Sequence, residues 1–83
     1  MKVAPPVNQA HAPIDRQIDN NIRKLRFEHG EMTQEALAKA VGITRQTIIA
    51  LEASRYSPSL ELAMKIAEVF GREVNAVFFR REL

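Results

Sequence analysis

The 83 residues carry twelve basic and ten acidic side chains, a net charge of +2, 46% hydrophobic residues and no cysteine. That supports one modest core and excludes a disulfide framework or a thiolate metal site, so packing must hold the fold. No apolar run reaches the roughly 18 residues of a membrane span and no signal-peptide pattern follows Met1, so a soluble cytoplasmic protein without a membrane partner is expected.

The charge does not by itself argue for a nucleic-acid partner. Residues 18–79 balance eight basic side chains against eight acidic ones, and the excess comes from the tails. Only the placement of particular basic residues can make that case.

Residues 1–13 hold Pro5, Pro6 and Pro13 with no apolar periodicity, and read as a flexible N-terminal arm. Residues 14–83 read as one helical domain. Ile14, Ile18, Ile22 and Leu25 recur at intervals of four, four and three, which predicts a first helix starting near residue 14, with Asp15 and Asp19 favourable at its N-terminus and Gly30 at its end. Thr33 is placed to cap a second helix with Leu37, Ala38 and Val41 inward, and Gly42 stops it. Thr44 caps a third, with Ile48 and Leu51 inward, followed by a loop from Ala53 to Pro58. Ser59 caps a fourth along Leu62, Ala63, Ile66, Ala67 and Phe70, ended by Gly71, and a short fifth turns Val74, Val77 and Phe78 inward. No segment alternates as a strand does. The predicted fold is all-α, a compact five-helix bundle.

The segment Thr33 to Glu52 carries the functional information. Its two short helices are joined through Val41-Gly42-Ile43, too tight a turn for an antiparallel hairpin, so they cross steeply as a helix-turn-helix. Gly42 supplies the positive φ of that turn without steric cost. Enzymatic chemistry has little to build on: His11 and His29 lack ligand-spaced partners, the carboxylates are scattered, and no metal or cofactor is expected.

Ile22-Arg23-Lys24-Leu25-Arg26, Met32-Thr33-Gln34-Glu35, Ala38, Gly42, Thr44-Arg45-Gln46-Thr47-Ile48, Leu51-Glu52 and Ser57-Pro58-Ser59-Leu60 stand in an order and spacing that resembles the Cro/cI-like (Xre) family of helix-turn-helix regulators. The resemblance covers about three-quarters of the chain, from Asn20 to Phe79. It implies double-stranded DNA as partner, transcriptional regulation, most simply repression, and a third helix in the major groove. With Ile48 and Leu51 inward, Arg45, Gln46, Ile49 and Ala50 become the candidate base contacts. Arg45 can bond a guanine edge or a phosphate, Gln46 an adenine edge, and Ile49 a thymine methyl.

Candidate phosphate contacts are Gln34, Thr44, Thr47, Arg55 and Tyr56. Thr47 either meets phosphate or packs, Arg55 is a contact or a solvated loop charge, and Tyr56 adds its hydroxyl or packs on the Pro58 turn. The resemblance also implies a structural ion pair between Arg26 and Glu52. One departure is Glu31-Met32, where many members of the family have a single apolar residue. It bears on the entry angle of the second helix, and so on Gln34. Val77 or Phe79 offers an apolar patch for a homodimer with two recognition helices about one DNA turn, roughly 34 Å, apart. A module that binds a protein partner, or an antitoxin, is the rival reading. No separate effector domain is expected, because residues 1–13 are too short and too polar to form one.

Overall fold

In the structure, a computed structural model that describes residues 18–81, five helices and two short strands follow one another as β1 (Ile18–Asn20), α1 (Ile22–Glu28), α2 (Gln34–Val41), α3 (Arg45–Glu52), α4 (Leu60–Phe70), α5 (Val74–Val77) and β2 (Phe78–Arg80). The expected arm at residues 1–13, and Ile14 and Asp15, lie outside the described residues.

Three of the helices begin as their sequences dictate. The hydroxyls of Thr33, Thr44 and Ser59 accept hydrogen bonds from the backbone N–H groups of Ala36, Thr47 and Leu62, each satisfying a donor that the first helical turn leaves without an intrahelical partner. Their ends share one geometry. Left-handed Gly42 (φ 78°) closes α2 as Ile43 N–H reaches the Ala38 carbonyl at 3.0 Å, and left-handed Gly71 closes α4 through Arg72 and Ala67. α3 closes likewise, with Arg55 N–H on the Ala50 carbonyl at 3.0 Å and Ser54 N–H on that of Leu51 at 2.9 Å. Its left-handed residue is Ser54 (φ 58°), not a glycine, in a conformation that costs an L-residue roughly 1–2 kcal/mol.

The core is one cluster to which every helix contributes: Ile22 and Leu25 from α1, Leu37, Ala38 and Val41 from α2, Ile48 and Leu51 from α3, Leu62, Ala63, Ile66, Ala67 and Phe70 from α4, and Val77 from α5. Met32 is half-buried against it. Glu31 lies in the turn before Met32 with a positive φ of 55°, and the methionine reaches the core.

Three expectations are corrected. The fold is mostly helical, not all-α: Ile18, Asp19 and Asn20 pair antiparallel with Arg80, Phe79 and Phe78. The first helix accordingly starts at Ile22, not near residue 14, and Asp19 lies in a strand rather than in a helical first turn. Spacings of four, four and three suit a helix, but backbone pairing with the far end of the chain takes residues 18–20 instead. Val77 is fully buried, because the α5 turn directs it into the core while β2 turns Phe79 outward, so Val77 is unavailable to a second copy.

Asp19 is the polar hinge of this sheet. It accepts from the Asn20 backbone N–H at 2.8 Å and the Ser54 hydroxyl at 3.1 Å, and faces the Arg81 guanidinium at 3.5 Å. These contacts, the Asn20 N–H first, hold its carboxyl below the ordinary aspartate value of 3.8. Since folding favours the ionised form, the resulting stabilisation is present above 3.8 and is lost as pH falls through the lower folded value. Thermal unfolding followed by circular dichroism below pH 4 is expected to show a steeper acid loss in the wild type than in Asp19→Asn. Parallel curves would remove Asp19 from the acid response.

Candidate nucleic-acid interface

α3 presents a continuous outer face because its inner face is fixed in the core. Ile48 and Leu51 are buried, whereas Arg45 and Gln46 are exposed and Thr47, Ile49 and Ala50 half-exposed. Tyr56, from the loop that follows, stands beside this face and shares a shallow hollow with Gln46, Thr47 and Ala50. Four of the candidate contact residues are thus gathered around one hollow. Thr44 spends its hydroxyl on the cap and lies 3.1 Å from the Thr47 hydroxyl, so the two threonines form one polar corner at the start of α3.

A hydrogen-bonded chain runs from the interior to this surface. Arg26 donates Nε to Glu52 Oε2 at 2.7 Å and Nη2 to Oε1 at 3.1 Å, a two-point pairing, while Nη1 binds the Met32 carbonyl at 2.7 Å. Both charged side chains are about nine-tenths buried, at 11% exposure each. Glu52 Oε1 also accepts from Gln34 Nε2 at 3.2 Å, and Gln34 Oε1 accepts from Arg45 Nε at 3.4 Å. The side chains that open α2 and α3 are therefore tied to each other and to the ion pair. The planar guanidinium of Arg26 makes this possible, because its fork meets a carboxylate and still leaves a donor for a carbonyl.

Two side chains to which the sequence-based reading gave no role in the site belong here. Phe27 is 52% exposed at the end of α1. The guanidinium of Arg23 lies 5.7 Å from the centre of its ring, on the side of a groove of about 580 Å3 that Gln34, Glu35, Arg45 and Glu52 also line. The i, i+4 spacing of Arg23 and Phe27 could have flagged the pair, but only the folded chain brings it to line one groove with Gln34. Arg55 is exposed in the loop after α3, apart from that groove. Phe79 is partly exposed on β2. Among the described residues no three acidic or imidazole side chains gather as a metal-ligand set, and no helix is long and apolar enough to cross a membrane.

Comparison with known proteins agrees with the helix-turn-helix fold. Residues 22–76 match the helix-turn-helix family HTH_3. An HTH-type transcriptional regulator of Methanothermobacter thermautotrophicus, itself uncharacterized, is 65% identical over 52 residues, or 63% of this chain and 74% of the relative. The cryptic phage CTXphi transcriptional repressor RstR of Vibrio cholerae is 36% identical over 52 residues, 63% of this chain and 46% of that protein. A crystal structure from Bacteroides fragilis, provisionally described as DNA-binding, superposes with a TM-score of 0.66 at 24% identity, covering 75% of this chain and 98% of that one. At that identity the likeness speaks for the fold alone.

The ion pair sets a stability prediction. Glu52→Ala strands the Arg26 guanidinium in a nearly closed site and is expected to cost roughly 3–5 kcal/mol in urea unfolding. The double replacement Arg26→Met/Glu52→Leu should recover most of that loss. A cost below about 1 kcal/mol for Glu52→Ala, as for an exposed pair, would show that water reaches the site.

Proposed function

The chain belongs to the HTH_3 helix-turn-helix family, and on that premise we propose that it is a sequence-specific double-stranded DNA-binding transcriptional regulator, acting as a repressor, with α3 in the major groove. The single observation that carries this is the outer face of α3, where Arg45, Gln46, Ile49 and Ala50 stand together on a helix whose other face is locked in the core. The relatives named as HTH-type transcriptional regulator and as phage repressor support the regulatory role. The proposed setting is the cytoplasm, and the proposed activity is binding without catalysis.

Roles divide by chemistry. Arg45 takes a guanine edge with its fork, Gln46 an adenine edge, and Ile49 and Ala50 contact thymine methyl groups. Gln34 and the first backbone N–H groups of α2 face one phosphate, with the Thr44–Thr47 corner, Arg55 and Tyr56 holding others. The Arg26–Glu52 pair touches no DNA in this scheme and keeps α3 in place. Two copies meeting through the surface around Phe79 would set their α3 helices one DNA turn apart, roughly 34 Å.

A second reading, a helix-turn-helix that grips a protein or serves as an antitoxin, draws on the balanced charge of residues 18–79 and on exposed Leu60 and Met64 of α4. The two readings differ in their response to salt, because displaced counterions make DNA binding fall steeply as salt rises.

Fluorescence anisotropy with a duplex from the protein's own upstream region, against a random duplex and across salt, separates them. Specific, salt-sensitive binding is expected, with Arg45→Ala and Gln46→Ala each costing roughly 1–3 kcal/mol on the specific duplex alone. Absence of binding to either duplex at low salt would sink the DNA reading. Sedimentation equilibrium at tens of micromolar should give a dimer that Phe79→Ser shifts toward monomer, and a wild-type monomer there would count against the pairing.

A further inference from the structure

α3 ends on a residue that its backbone does not favour, and the reason lies in a strand outside the family match at residues 22–76. α2 and α4 close on left-handed glycines, but α3 closes on left-handed Ser54, which is buried with 9% exposure. Glycine would serve the backbone better at this position. What serine adds is a hydroxyl, and that hydroxyl donates to Asp19 Oδ1 of β1 at 3.1 Å.

A second bond reaches the same turn from the same strand. Asn20 Nδ2 donates to the Leu51 carbonyl at 2.7 Å, the acceptor that also receives Ser54 N–H. Asn20 Oδ1 in turn accepts from the N–H of Ile22, the first residue of α1. β1 therefore grips the closing turn of α3 at two points while β2 holds β1 by backbone pairing and Arg81 balances the Asp19 charge. The next residue is Arg55, whose N–H closes the turn and whose side chain stands in solvent.

We propose that β1 is a positioning element for DNA binding, in which Asp19 through Ser54, and Asn20 through the Leu51 carbonyl, set the direction in which Arg55 meets the phosphate backbone. This rests on the DNA-binding reading above and assigns positioning roles to Asp19, Asn20 and Ser54. The hydroxyl of Ser54 is retained at a conformational cost because it fixes the turn against the strand. A glycine would form the same turn but leave it free to swing Arg55 away.

The test is Ser54→Gly in the full chain, measured by thermal unfolding and by anisotropy on the upstream duplex from roughly 50 to 200 mM salt. A merely structural serine would change stability and affinity together. A positioning serine separates them: Ser54→Gly unfolds at or above the wild-type midpoint, yet binds several-fold more weakly, with a salt slope smaller by about one. Ser54→Gly/Arg55→Ala binds no more weakly than Arg55→Ala alone, since the hook acts through that arginine. Asp19→Asn, which keeps the accepting oxygen, retains the wild-type slope, whereas Asp19→Ala does not.

A full slope for Ser54→Gly, or losses that add in the double variant, would overturn the proposal. So would an Arg55→Ala variant that binds like wild type while Arg45→Ala still fails, and that outcome leaves the DNA-binding reading standing. A wild-type protein that binds neither duplex would overturn both.

Discussion

The Arg26–Glu52 pair is the constraint on which the placement of α3 and its outer face depends. It joins the last turn of α1 to the last residue of α3, and its remaining donor fixes the Met32 carbonyl at the entry to α2. Removing two charges from water costs several kcal/mol per ion, so a pair of this kind is not a simple source of stability. What it supplies is position. The two-point pairing requires both carboxylate oxygens to meet the guanidinium fork, a directional condition that the apolar contacts of Ile48 and Leu51 do not impose.

From Glu52 that constraint extends outward through Gln34 to Arg45. A long side chain at a helix start loses considerable rotamer freedom when it engages a ligand. Arg45 spends part of that loss in the unbound protein, held by the Gln34 carbonyl oxygen. One amide thus orders the groups that open both helices of the motif. The arrangement ties the interior to the start of α3, because its members are held in one hydrogen-bonded set.

The near-neutral charge of the folded region is compatible with this design. A protein of high positive charge gains affinity for any duplex, while base edges are read by a few forked or apolar contacts. Here Glu35 and Glu52 stand in the same groove as Arg23 and Arg45, so the cations are partly offset before any phosphate arrives. In the proposed function, binding by such a surface leans on correct placement of each donor more than on total charge. The turn after α3, left-handed at Ser54, is likewise held by a side-chain hydrogen bond, to Asp19.

The sequence by itself determined α2, α3 and α4: Thr33, Thr44 and Ser59 at the starts, Gly42 and Gly71 at two of the ends, and apolar residues at helical spacing between, all of them local signals read within one or two turns. It also pointed to the outer face of α3, because naming Ile48 and Leu51 as inward fixes the opposite side by geometry. Tertiary structure alone decided the rest. Residues 18–20 follow a helical spacing but pair with residues 78–80, since backbone partners at opposite ends of a chain leave no periodic trace. Val77 and Phe79 are similar apolar residues two apart, and the passage from a helical turn into a strand buries one and exposes the other. The grip of Asp19 on Ser54, and the approach of Arg23 and Phe27 to Gln34, join segments that meet only when the core closes, because a side chain's partner across the fold is set by packing and not by its neighbours in sequence.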